Sequence, residues 1–282
     1  MLWIGRESGH LDMKSKLIKG GLTVLGAIIF STLGIYAADS LQGIGGGIGQ
    51  FAGIKKAGVC MEGSVPLTVD GRILCVDMYE ASPSADCPHA ILSNTVQSEE
   101  NAGSENCYAS SVAGTVPWNF ISLPQAQRMC GSAGKRLPTS EEWYHVSLGT
   151  DSDTCTIQAS GVEKTGNPKC ISSAGIFDAI GNVWEWVDEE VHGNVFNERG
   201  LPEEGYVTSV DSQGVALTSG ATADNLYGRD YIWSESEGVF GMLRGGFYGS
   251  GQDAGLYTVN ASVQTSFATQ GVGFRCVKDV FN

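Results

Sequence analysis

The chain has 282 residues, 42% hydrophobic and 17% charged, a composition that suits a folded globular protein with one large domain. Thirty-one acidic residues stand against 17 basic ones, for a formal net charge of -14, which excludes a nucleic-acid partner because phosphate binding requires basic surface. Glycine occurs 39 times, about twice its usual share, which excludes a fold dominated by long helices and predicts short elements joined by tight turns.

In chain order, a basic stretch (Lys14, Lys16, Lys19) precedes an apolar run over 22–36 and the small residues Ala37 and Ala38. That is the layout of a secretory signal. Residues 1–12 carry no such pattern, so Met13 is the expected physiological start. Two outcomes stay open for 1–38: cleavage after Ala37 or Ala38, or retention of 17–38 as a membrane anchor, since that stretch is long enough to span a bilayer. In both, the basic flank stays inside and the rest of the chain is expected outside, extracellular or at the cell surface. Residues 39–58 contain GIGGGIGQFAG at 43–53 and are expected to form a flexible tether. The domain is then 59–282.

Eight cysteines (60, 75, 87, 107, 130, 155, 170 and 276) fit an oxidising compartment. Their even number allows four disulfides, and the absence of any CxxC argues against a zinc ribbon or a thioredoxin-like redox site. Residues 73–79 (ILCVDMY) read as a short strand after a turn at Asp70-Gly71, and 82–114 as a polar, cysteine-flanked loop. Ser122 predicts a helix cap with Pro124 in the first turn. Leu123, Ala126, Cys130 and Ala133 share one face of that helix, and Gly134 stops it. Thr139 and Glu142 make a capping box for a second helix ending near Gly149, with Trp143 and Val146 toward the core. Beyond it the chain is short strands and glycine turns without a fixed repeat. The reading is a loop-rich α+β fold with short strands and two main helices.

Three stretches carry a family resemblance: Ala133-Gly134-Lys135-Arg136-Leu137-Pro138-Thr139-Ser140-Glu141-Glu142-Trp143; Gly181-Asn182-Val183-Trp184-Glu185-Trp186; and Leu243-Arg244-Gly245-Gly246 followed thirty residues later by Gly273-Phe274-Arg275-Cys276. With Cys75-Val76-Asp77-Met78-Tyr79-Glu80-Ala81-Ser82 upstream, the chain resembles the formylglycine-generating-enzyme (sulfatase-modifying factor) family from about residue 59 to 277. The resemblance implies a C-type lectin-like fold. It also implies a disulfide from Cys130 to Cys276, while nearness in sequence suggests Cys155 with Cys170, Cys60 with Cys75, and Cys87 with Cys107. It further implies a calcium site with side-chain oxygens from Asp178 and Glu185 and carbonyls from Gly181 and Val183. The plainer reading of those residues is that Asp178 caps a turn and Glu185 pairs with an arginine. Arg136, Arg244 and Arg275 sit in apolar motifs, where a guanidinium needs carbonyls or carboxylates as partners; Glu185 and Asp178 are the candidates.

The family's enzymes use a cysteine pair shortly after the Arg-Gly-Gly motif to bind copper. Here that place reads Phe247-Tyr248-Gly249-Ser250-Gly251-Gln252-Asp253, so copper chemistry, which needs thiolates, is not expected. Nor is iron, because His10, His89, His145 and His192 show no ligand spacing. Residues 243–276 instead resemble the variable segment of target proteins of diversity-generating retroelements, many of which use this same domain. The frame would be 243–246, Gly251, Ala254, Gly255 and 272–276. The positions free to vary, and to bind, would be Tyr248, Ser250, Asp253, Tyr257, Asn260, Ser262, Val263, Phe267 and Thr269. Tyrosine, serine, asparagine and aspartate suit a binding surface. The sequence thus points to a surface-displayed binder of a protein or other surface ligand, the alternative being an oxidoreductase or other enzyme of the same family.

Overall fold

Asp70 and Gly71 both take positive φ (48° and 76°), the mark of a tight hairpin turn. They join β1 (Ser64–Val69) to β2 (Arg72–Asp77) in antiparallel register. The computed structural model describes residues 60–280; the signal or anchor and the tether expected over 1–58 lie outside the described residues. A short ribbon follows, β3 (Ala81–Pro83) paired with β4 (Ala109–Ser111), and between its strands lies α1 (Thr95–Gly103). Next come α2 (Leu123–Ser132) and α3 (Ser140–Ser147). The rest is β5 (Trp184–His192), β6 (Val195–Phe196), β7 (Arg199–Gly200), β8 (Gly205–Val210), β9 (Ala216–Gly220), β10 (Tyr231–Ser234), β11 (Val239–Arg244), β12 (Val259–Val263), β13 (Val272–Phe274) and β14 (Val277–Asp279).

Among the described residues there are thus three helices, not two. The third, α1, falls in the stretch read as loop. Its sequence, TVQSEENAG, hides the signal because its buried positions are largely polar. Ser98 accepts the indole N–H of Trp118 at 3.0 Å, and Asn101 exchanges hydrogen bonds with the His89 backbone at 2.8 Å. Asn94 caps it by accepting from the Gln97 N–H. The two expected helices stand where their caps put them. Gln125 accepts the Ser122 backbone N–H, Thr139 and Glu142 form the reciprocal box, and Gly134 and Gly149 at positive φ follow the last turns.

Strands β7-β6-β5-β11-β12-β10-β8-β9 form one sheet in that order, with β13 added beside β5 in parallel. Side chains alternate across it and divide two cores. Glu185, Val187, Met242, Val259 and Ile232 face one way, together with Trp143 and Val146 of α3; Trp184, Trp186, Leu243, Val272 and Phe274 face the other, against Trp118 and Leu123 of α2. β14 returns to the first hairpin, pairing with β2, and Val277 forms a bridge with Arg136 in the loop between α2 and α3.

Four disulfides pin the loops: Cys60–Cys75, Cys87–Cys107, Cys130–Cys276 and Cys155–Cys170. The third spans 146 residues and ties α2 to the segment after β13. Replacing both of its cysteines by alanine should lower stability by about 5 kcal/mol if loop-closure entropy dominates. Urea unfolding checks this, and a loss no larger than that of the Cys155–Cys170 pair would show that loop length does not govern the effect.

Candidate binding face

Segment 243–276 is held at each end by a buried arginine. Arg244 donates to Ser140 Oγ (3.2 Å) and to the carbonyls of Gly214 (3.2 Å) and Leu256 (3.0 Å). Its guanidinium lies 4.9 Å from the Trp143 ring centroid. Burial lowers its pKa to about 10. Carbonyls and a hydroxyl answer this charge, and neither Glu185 nor Asp178 bonds to it. At the other end Arg275 Nε donates to both Glu185 oxygens (2.9 and 2.7 Å), Nη1 to the Asp77 carbonyl (3.2 Å) and Nη2 to the Phe177 carbonyl (2.9 Å). Burial works against that charge, but Glu185 outweighs it, so the Arg275 pKa lies above its ordinary value. Arg136, nearer the surface, is shared by Glu142 and Asp279. Gly245, at φ +86°, has no room for a side chain: a Cβ there would stand 2.6 Å from the Ala179 carbonyl and 2.9 Å from the Trp143 ring.

The calcium site implied at Asp178, Gly181, Val183 and Glu185 does not fit this arrangement. Both Glu185 oxygens serve Arg275, and Oε2 also accepts the Trp143 indole N–H at 2.8 Å. Asp178 Oδ2 accepts the backbone N–H groups of Gly166 (2.6 Å) and Asn167 (3.2 Å), which is a turn cap. Burial lifts the Asp178 pKa to about 6, against the pull of those two donors. Glu80, which the sequence did not single out, completes the cluster: it accepts from Asn182 Nδ2 (2.6 Å) and the Val183 N–H (3.2 Å). Burial first, then Asp178 and Glu185, push its pKa well up. The side chains of Asp178 and Glu185 are thus engaged by backbone N–H groups, by Arg275 and by the Trp143 indole.

All nine candidate binding positions are at least partly exposed, Phe267 (38%) and Thr269 more than the others. They do not all lie on one face of the sheet. Asn260 and Ser262 point from β12 to the sheet face that carries Leu243, and Asn260 Oδ1 accepts both the Ser262 N–H (3.1 Å) and Oγ–H (2.9 Å). Val263, at the end of β12, packs against the edge of the second core. Tyr248 and Ser250 occupy the turn after β11, where Ser250 Oγ accepts the Phe247 N–H (3.0 Å), and Asp253 ends the short 3-10 turn that follows. Tyr257 lies apart from these, its ring 6.2 Å from that of Tyr144 and 5.7 Å from that of Tyr227.

One buried group beneath this segment was invisible in the sequence. Asp230 accepts the Tyr257 N–H through Oδ2, its Oδ1 has no partner, and a Cβ on Gly255 would collide with it. Burial raises its pKa to about 7, although the Tyr257 N–H and the nearby Arg244 favour the charged form. Nothing in the pattern around Tyr227-Gly228-Arg229-Asp230 marks this aspartate as buried. The eight cysteines are all disulfide-bonded, so none supplies a thiolate at the Arg-Gly-Gly motif.

Two cores divided by one sheet, three short helices and long pinned loops make the described residues a loop-rich α+β fold. Residues 150–280 match the family model described as the sulfatase-modifying factor enzyme 1-like domain; the motifs at 75–82 and 133–143 lie upstream of that match. No curated protein matches the chain. Among solved structures it is similar to a Major Tropism Determinant P3c Variant (17% identity, TM-score 0.44, 78% of this chain and 54% of that one). It is also similar to variable protein 1 of Treponema denticola (12%, 0.38, 77% and 99%) and to PvdO from Pseudomonas aeruginosa (11%, 0.41, 77% and 90%). The chain spans about half the length of the Major Tropism Determinant structures that it matches.

The raised pKa of Asp230 has a definite sign in stability. Its folded value of about 7 lies above the ordinary 3.8, so between these values the folded state binds the extra proton and stability falls as pH rises. Urea unfolding from pH 5 to 8 should therefore show stability declining with pH, and Asp230→Asn should flatten part of that decline. Asp178 and Glu80 add to the decline with the same sign. A wild-type stability that climbs across this window, or a slope untouched by the substitution, would contradict the assignment.

Proposed function

We propose that this protein binds a protein or other surface ligand through segment 243–276, with fixed ends and a middle that differs between copies of the gene, as in target proteins of diversity-generating retroelements. The observation that carries the reading is how burial divides the segment. Of the expected frame, Leu243, Arg244, Gly245, Gly246, Ala254, Gly255 and residues 272–276 are buried and Gly251 is partly exposed, while every one of the nine candidate positions reaches solvent. Substitution at the first set opens cavities or strands charges; at the second it changes surface chemistry at little cost to the fold. The four disulfides support a position outside the cell. The parent oxidoreductase chemistry has no free thiolate to use, which favours the binder over the enzyme.

Sequencing the 3′ end of the gene in a natural population tests the reading. It predicts substitutions concentrated at Tyr248, Ser250, Asp253, Tyr257, Asn260, Ser262, Val263, Phe267 and Thr269, with Gly245, Gly246 and residues 273–275 constant. A second, adenine-rich copy of the segment's coding sequence should lie near a reverse-transcriptase gene. Uniform sequence across the population would overturn the diversified reading.

A further inference from the structure

Beyond β12 the layer that covers the second face of the sheet runs out among the described residues. α2 packs on β5 and shields Trp184, Trp186 and Leu243, whereas on the same face of β10 and β8 the side chains of Tyr231, Trp233 and Tyr206 stay partly exposed. The two strands alternate strictly: Ile232 and Val207 are buried on the first face, while Tyr231, Trp233 and Tyr206 are partly exposed on the second. Trp233 pairs in register with Asn260, one of the nine candidate positions. The rings touch in series. Trp184 meets Trp233 edge-on at 5.7 Å, Trp233 meets Tyr231 at 4.6 Å, and Tyr231 meets Tyr206 edge-on at 5.0 Å. The Tyr231 hydroxyl donates to exposed Glu204 at 3.1 Å.

We propose that this aromatic ledge of Tyr206, Tyr231 and Trp233, rimmed by carboxylates, is the constant part of the binding face and receives a lysine or arginine side chain of a protein partner. The inference rests on the binding function proposed for segment 243–276 and names the partner chemistry beside it. Aromatic faces attract cations within about 6 Å of the ring centroid, and the attraction strengthens where a carboxylate lies alongside. Glu203 and Glu204 stand exposed at the start of β8, and Glu235 and Glu237 stand exposed just after β10. The Tyr231 phenol is held above its ordinary pKa by burial, by the Glu204 carboxylate it donates to and, more weakly, by Asp253 of the candidate segment. Arg229, exposed two residues before β10, acts on Asp253. The whole chain is strongly acidic, so a basic partner is drawn to it at long range as well.

The test uses the full chain with octa-arginine and, as a neutral control, octa-glutamine, read by calorimetry and tryptophan fluorescence at 0.15 M salt. Octa-arginine should bind at least tenfold more tightly than octa-glutamine and perturb the fluorescence. Trp233→Leu and Tyr231→Leu should each weaken it about tenfold, and Trp233→Phe should restore most of the loss by returning a ring face. Glu204→Gln, on the surface and harmless to folding, should weaken it severalfold, whereas Glu62→Gln, outside the ledge, should not. Equal binding of the two peptides, or unchanged affinity in the leucine variants and in Glu204→Gln, would overturn the proposal. A loss confined to Asn260→Ala and Ser262→Ala would also overturn it while leaving the segment's binding role intact. A gene invariant over 243–276 would remove the diversified reading without altering the peptide result.

Discussion

The buried pair of Arg275 and Glu185 is the interaction on which the rest of the domain depends. A guanidinium and a carboxylate taken out of water are tolerated only when nearly every donor and acceptor finds a partner. Here the partners come from separate parts of the chain. Glu185 belongs to β5 and also accepts the indole of Trp143 on α3, while Arg275 donates to carbonyls of Asp77 at the end of β2 and of Phe177 in the loop before β5. One ion pair therefore fixes the sheet, a helix, the first hairpin and a long loop relative to one another. The next residue, Cys276, adds a covalent link to α2. Loss of either charge would leave the other buried and unpaired, a cost of roughly 3–5 kcal/mol.

This frame explains how one segment can be rigid at its ends and permissive between them. Arg244 fixes the entry by bonds to Ser140, Gly214 and Leu256, and Arg275 fixes the exit. Between them, Val259 and Ala261 are buried on one face of β12, whereas Asn260 and Ser262 reach solvent on the other. A strand that turns alternate residues to the core and to water divides constant from changeable positions by geometry alone.

Much of this was legible in the sequence because the signals were local. Ser122, Thr139 and Glu142 announced two helices through their caps, Asp70-Gly71 announced a hairpin, and cysteines close in the chain paired with one another. Helix α1 was not legible: its inward residues are serine and asparagine, so no apolar stripe marks it. Glu185 illustrates a different limit. The family resemblance implies that it and Asp178 are two ligands for one cation, whereas the plainer reading pairs it with an arginine; that arginine is Arg275, 90 residues away, and only the assembled sheet identifies it. Asp230 and the Tyr206–Tyr231–Trp233 row arise in the same way, from strands brought side by side out of sequence order.

The central claim is that segment 243–276 consists of a frame that the fold requires and a face that it does not. The most direct test is a saturation library over those residues, displayed on cells and sorted by protease resistance with no ligand present. The structure predicts broad tolerance at Tyr248, Ser250, Asp253, Asn260, Ser262, Val263, Phe267 and Thr269, intermediate tolerance at Tyr257, and near-total intolerance at Arg244, Gly245, Gly246, Phe274, Arg275 and Cys276. Comparable intolerance at both sets would contradict the division between frame and face.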